Sequence, residues 1–182
     1  MEKVTATEIV AKTPRKTTPK KPRVHAHKLE LRKLRPSDYS AVKGISDKVY
    51  TTSGGGWRED QFLSMLARFP EGQLCIEDKG QVIGCALAVV VSYDKYTDLH
   101  TYEQITGNGY ITNHEPDGDT LYGIDIFVDP EFRGLRLGRR LYDARKELCQ
   151  SLNLKRIVGG GRMPGYHDHA DQMTPQAYIE QV

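Results

Sequence analysis

The segment V-D-P-E-F-R-G-L-R-L-G-R-R-L at residues 128–141 concentrates groups suited to holding an anion. Arg133, Arg136, Arg139 and Arg140 bring forked donors that match phosphate oxygens and stay charged at physiological pH. Gly134, Leu135, Leu137 and Gly138 are interleaved with them, in a turn that opens onto an amphipathic stretch. Such a turn leaves backbone N–H groups unpaired, and the helix dipole aims its positive end at the same place. The chemistry implied is the binding of a phosphate-bearing ligand.

A second chemical group sits just upstream. Asp125 interrupts the apolar run Ile124, Ile126, Val128, and the period-two pattern puts it on the opposite face from Ile124 and Ile126. An isolated carboxylate in a strand needs a partner. It is either a base or amine-binding group, or an aspartate at a sheet opening paired with a nearby arginine. His167, Asp168, His169 and Asp171 form an H-x-H cluster with no third ligand at a recognised spacing, so no metal is expected there. Cys75, Cys85 and Cys149 are too dispersed for a disulfide framework or a C-x-x-C site, which favours a reduced, cytoplasmic setting. Neither a G-x-S-x-G elbow nor a P-loop is present.

The elements that must position these groups can be taken in order. Leu29 and Leu31 alternate with charged residues, predicting a strand. Ser37 or Asp38 can cap a helix carrying Tyr39, Val42, Ile45 and Val49, and a glycine break at 54–56 precedes a second helix over 58–69. Asp78-Lys79-Gly80 reads as a hairpin turn between strands at 74–77 and 81–92. The second of these is apolar almost throughout, so it should be central and covered on both faces. Residues 93–119 are a long polar connection with a short helix expected around Tyr102; it is either a functional loop or a surface insertion that could contact another copy of the chain. The helix from 137 to 152 places Leu137, Leu141, Ala144, Leu148 and Leu152 on one stripe, and residues 155–158 should return as a parallel strand. Thr174-Pro175 starts a last helix.

With 182 residues and 38% hydrophobic content, the chain can build one substantial core behind an arm. Residues 1–27 carry seven Lys/Arg against two Glu, whereas the other 155 carry nineteen against twenty-two. The basicity belongs to the arm, a solvated tail by composition; without interleaved aromatic residues, nucleic acid is not an expected partner. No apolar run approaches a membrane span, and no membrane association is expected.

The order strand, two helices, hairpin, strand, loop, helix, strand, helix resembles the GNAT superfamily of N-acetyltransferases. Its loop pattern, Arg/Gln-x-x-Gly-x-Gly/Ala after Val-x-Pro, is matched by Val128-Asp129-Pro130 and by Arg133 to Gly138 except at Arg136, which stands where the family usually has its first glycine. The run R-G-L-R-L-G-R-R-L-Y-D-A-R-K-E-L, with L-K-R-I-V-G-G-G-R-M-P-G-Y, is similar to GNAT domains that precede a carbon-nitrogen hydrolase (nitrilase-like) domain. The resemblance covers residues 28–182. It implies an α/β GNAT fold: a mixed, mostly antiparallel central sheet flanked by helices, a β-α-β acetyl-CoA-binding core, and last strands that fall beyond Val182. It implies transfer of acetyl from acetyl-CoA to a primary amine, a small molecule or a lysine side chain, by direct attack. The alternative is a non-catalytic acyl-CoA-binding or regulatory domain of a larger hydrolase. On the same resemblance the backbone of Ile126, Phe127 and Val128 pairs with pantetheine, and the amides of Arg133, Gly134, Leu135, Arg136, Leu137, Gly138 and Arg139 cradle the pyrophosphate. Asp125 faces the acceptor, and Tyr166 or Tyr178 protonates the leaving thiolate unless both simply pack.

Overall fold

A computed structural model describes residues 27–51, 56–96, 100–161, 163 and 165–181. Nearly all of the basic arm lies outside the described residues.

Five strands form one sheet in sequence order: β1 (Leu29–Lys33), β2 (Leu74–Asp78), β3 (Gln81–Val91), β4 (Thr120–Val128) and β5 (Arg156–Gly159). The first three pairings are antiparallel and β4–β5 is parallel. Between them run α1 (Tyr39–Val49), α2 (Glu59–Arg68), α3 (Tyr102–Thr106) and α4 (Leu137–Ser151), and α5 (Pro175–Ile179) follows β5. This is the α/β architecture expected, and the described residues hold no strand after β5.

The hairpin forms because Lys79 and Gly80 both take positive φ, 53° and 91°, the pair of left-handed residues that matches the twist of tightly turned antiparallel strands. β3 is buried along its length after Gln81. One face of the sheet packs on α1 and α2 through Val42, Ile45, Phe62 and Met65. The other receives Leu137, Leu141 and Ala144 of α4 against Ile76, Ile83 and Ala86. A continuous apolar strand is the expected consequence of cover on both sides.

Two expectations need correction. The stripe on α4 runs through Leu137, Leu141, Ala144, Arg145 and Cys149, while Leu152 is 39% exposed. The connection after β3 is also no mere surface insertion, since Ile105 and Ile111 are fully buried in the core beside α1 and α2. Thr101 caps α3 by accepting from the Gln104 amide, and Gly107 ends it in the left-handed conformation at φ 58°. α3 is thereby held against the core, where Tyr102 reaches the sheet's open end.

The feature that positions the site is a bulge in β4. Asp125 pairs with Leu87 and Gly123 pairs with Ala88, leaving Ile124 as the extra residue. The bulge changes which way side chains point. Ile124 belongs to the core beside α1 and α2, Asp125 bonds to residues on that same side, and Ile126 packs against the α4 side. Asp125 therefore shares a face with Ile124, contrary to strict alternation. Pairing between β4 and β5 stops at Gly123 and Gly159, and among the described residues β4 runs on through residues 124–128 without a neighbour on that edge. The sheet is thus parted at the bulge.

Candidate active site

The parted strands lead at one end to the arginine loop. Asp129, only 2% exposed, fixes the exit from β4: its amide donates to Ile83 O at 2.9 Å, and its Oδ1 accepts from the Glu131 amide at 3.0 Å. Lys48 on α1 reaches Asp129 Oδ2 at 2.9 Å and Glu131 at 3.3 Å. Burial pushes the Asp129 carboxyl up, but the Lys48 ammonium and the Glu131 amide outweigh it and hold the group below the usual carboxylate range. The loop entry is thus tied to α1 by a buried acid and a charge-assisted contact.

Beyond this clamp the chain turns at Gly134, φ 89°, and again at Arg136, φ 56° and ψ 29°, which is the cap of α4. The left-handed conformation explains why glycine is the usual residue at this position and means that Arg136 carries backbone strain of about 1 kcal/mol. Among the described residues nothing accepts from the amides of Gly134, Leu135, Arg136, Leu137, Gly138 or Arg139. A side chain at Gly138 would meet nothing within 4 Å, so its bareness serves approach from outside rather than internal packing. Arg133, Arg136, Arg139 and Arg140 are exposed and have no ion-pair partner among the described residues. The loop expected to bind phosphate therefore presents its amides and its charges together.

At the bulge a cleft of about 1050 Å³ opens between β4 and β5. Asp125 lies on its wall, held by three donors: Tyr50 Oη to Oδ1 at 2.5 Å, Trp57 Nε1 to Oδ2 at 3.0 Å, and the Ile126 amide to Oδ1 at 2.8 Å. The carboxylate is fixed in orientation and keeps acceptor capacity toward the cleft. Its backbone carbonyl is bonded by Arg145 Nη2, which also donates to Leu87 O at 2.6 Å. Arg145 is 4% exposed, and burial pushes its guanidinium below the usual arginine value. Its two carbonyl partners are the residues paired at the bulge, so α4 closes the gap that the irregularity leaves in the ladder.

The structure brings Asp125 together with the start of the arginine loop through residues 126–128. Phe127 is buried, Val128 half-buried, and the Ile126 amide is already engaged by Asp125. It does not bring Tyr166 or Tyr178 to the cleft. Those two rings pack on each other at 5.4 Å, with Tyr166 Oη donating to Met173 O at 3.0 Å, and neither lines the cleft. The short helical segments after β5 fold on themselves, which accounts for this placement. Among the described residues no group of three or more His, Cys, Asp or Glu is arranged to hold a metal ion. No helix among them is long and apolar enough to cross a membrane.

Three residues of the site escaped the sequence reading. Tyr50 and Trp57 flank the glycine break between α1 and α2, where no periodic pattern singles them out. Arg145 had a signal: it lies at i+4 from Leu141 and i−4 from Cys149, an arginine on an apolar stripe.

Residues 30–165 match the model of the acetyltransferase (GNAT) family. The chain belongs to the GNAT family. Among curated relatives it is 48% identical over 126 residues to "Probable hydrolase YhcX" of Bacillus subtilis (strain 168), covering 69% of this chain and 25% of that one. It is 42% identical over 126 residues to "Uncharacterized N-acetyltransferase YkwB" of the same organism, covering 69% and 56%. The matched region thus spans a quarter and somewhat over half of the length of these two relatives. In fold it is similar to a GNAT-like decarboxylase, GphF, solved with isobutyryl-CoA: TM-score 0.68, 18% identity, 84% of this chain and 76% of that one. The GNAT fold places β4, the arginine loop and α4 as one β-loop-helix unit, and the parted strands lie beside it.

Proposed function

We propose that this chain transfers an acetyl group from acetyl-CoA to a primary amine by direct attack. The observation that carries the proposal is the fixed Asp125 carboxylate on the wall of the cleft where β4 and β5 part, continuous along residues 126–128 with a loop whose amides and arginines have no partner among the described residues. Membership of the GNAT family and the CoA-bound GNAT-like neighbour support the choice of CoA as donor. The amides from Gly134 to Arg139 receive the pyrophosphate, and the edge of β4 at 126–128 borders the pantetheine arm.

A free alkylamine has a pKa of about 10.4 and is mostly protonated at neutral pH. Asp125 holds the ammonium and takes its proton, directly or through a water, and the nitrogen then bonds to the thioester carbon. Negative charge that develops on the carbonyl oxygen is stabilised by fixed donors better than by water. The C–S bond breaks, the amide product forms, and the CoA thiolate takes a proton from solvent. A carboxylated acyl group would be repelled by Asp125, which argues against the decarboxylation named for the structural neighbour.

Release of free CoA thiol from acetyl-CoA, dependent on an added primary amine, is the test. CoA at a hundredfold excess over its Kd should stabilise the fold by about 2.7 kcal/mol. Stabilisation without thiol release on any amine would favour instead an acyl-CoA-binding domain serving a hydrolase attached in a longer parent chain. The loop can be tested separately with Arg136→Gly. Relief of left-handed strain and the greater freedom of unfolded glycine are of similar size, so stability should change by less than about 1 kcal/mol. CoA affinity measured by calorimetry should fall about fivefold, the worth of one exposed charge contact. Unchanged affinity would mean that the loop binds by backbone alone.

A further inference from the structure

We infer that the acceptor is an arylalkylamine: a primary amine with a single positive charge on a short chain and one flat aromatic ring. This rests on the reading of Asp125 as the amine-binding group and adds to it the class of molecule bound.

The cleft around Asp125 is walled by rings. Tyr50 and Trp57 hold the carboxylate, and Tyr102 and Tyr142 lie on the surrounding walls. A smaller recess of about 380 Å³ shares Tyr102, Val158, Gly159 and Gly160 with it and ends at Tyr93, His100 and Tyr122. His100 meets Tyr93 and Tyr122 edge-on at 5.8 and 5.5 Å, and its Nε2 lies 3.1 Å from Tyr122 Oη. Tyr122 is 5% exposed, so this polar pair sits at the bottom of an aromatic recess.

Charge decides the class of amine. Among the described residues lining the two recesses, Asp125 is the sole carboxylate, and the Arg145 guanidinium is committed to carbonyls. A polyamine or an aminoglycoside would bring further ammonium groups against rings among which the described residues supply no second carboxylate, and desolvating each one is costly. One ammonium can be matched by Asp125 and by the flanking aromatic faces. Length then decides the body. Across the bulge, Tyr122 and Asp125 pair with Val89 and Leu87, two residues apart on β3, so the two lie roughly 7 Å apart along the strand. That separation accommodates an ethylamine chain and one ring, with the ring in the aromatic recess and any ring hydroxyl near His100 and Tyr122.

Trp57 is the only tryptophan in the chain and bonds directly to Asp125, so its fluorescence reports occupancy of the carboxylate independently of turnover. The full chain, saturated with CoA, would be titrated with phenethylamine, tyramine, spermidine and an aminoglycoside. Expected are saturable changes for the two arylalkylamines, at least about tenfold tighter than for spermidine or the aminoglycoside, and loss of that preference in Asp125→Asn. His100→Ala, at a partly exposed loop position, should erase any advantage of tyramine over phenethylamine while leaving phenethylamine bound. Spermidine or the aminoglycoside binding as tightly as phenethylamine would overturn the inference. Arylalkylamine binding without thiol release would uphold it while refuting acetyl transfer, and thiol release confined to polyamines would do the reverse.

Discussion

Asp125→Asn should lower amine-dependent turnover by about 100-fold or more, the usual worth of a positioned acid or base, with CoA affinity retained. The carboxylate has three donors on two oxygens: Tyr50 and the Ile126 amide on Oδ1, and Trp57 on Oδ2. An amide has one acceptor oxygen. If it faces Tyr50 and Ile126, its NH₂ opposes the Trp57 N–H; if it is flipped, Tyr50 can turn to accept but the Ile126 N–H is opposed. One donor is orphaned either way, so a stability loss of about 1 kcal/mol should accompany the kinetic effect. That is too small to unfold the chain and cannot account for a hundredfold loss, so melting temperature and kcat together separate structural damage from chemistry. Equal turnover in the variant and parent would remove Asp125 from the mechanism.

Much of the frame for that carboxylate was legible because it is local. Two left-handed residues at Lys79 and Gly80 make a hairpin wherever apolar strands flank them, and α1, α2 and α4 announce themselves by spacing. The turn that carries the arginines was equally visible as a shape, since glycines and arginines at a helix start act over a few residues. The partners of Asp125 were not. Tyr50 and Trp57 are 75 and 68 residues away in sequence, and nothing local marks a ring that will meet a carboxylate across the sheet. The face of Asp125 was misread for a different reason: alternation assumes a regular strand, and one extra residue at Ile124 reverses it. For Tyr166 and Tyr178 the resemblance points only to a stretch of chain after β5, which does not fix a distance from the cleft, and the two rings pack on each other.

Arg145→Ala should be the most destabilising single change near the site, because the bulge that opens the sheet depends on this side chain. Leu87 O and Asp125 O flank the irregularity, and both accept from Arg145 Nη2. Truncation removes a charged donor from both carbonyls, about 1–3 kcal/mol each at most, and adds a cavity beside Leu141 and Cys149. Against this stands the burial that pushes the guanidinium value down, a desolvation cost that the variant escapes. With Nε also lacking a partner among the described residues, the arginine is not an optimised interaction, and the offset is real. A net loss of about 3 kcal/mol remains, equivalent to a fall of roughly 6–12 °C in melting temperature for a domain of this size. Arg145→Lys keeps the charge but presents a single point rather than a fork, so it should recover only part of the loss. If the strands part because Arg145 holds the bulge, the Lys variant, assayed well below its melting point, should show a raised KM for acetyl-CoA before any fall in kcat. An Ala variant melting within about 2 °C of the parent would show that the bulge is held by the sheet and α4 packing alone.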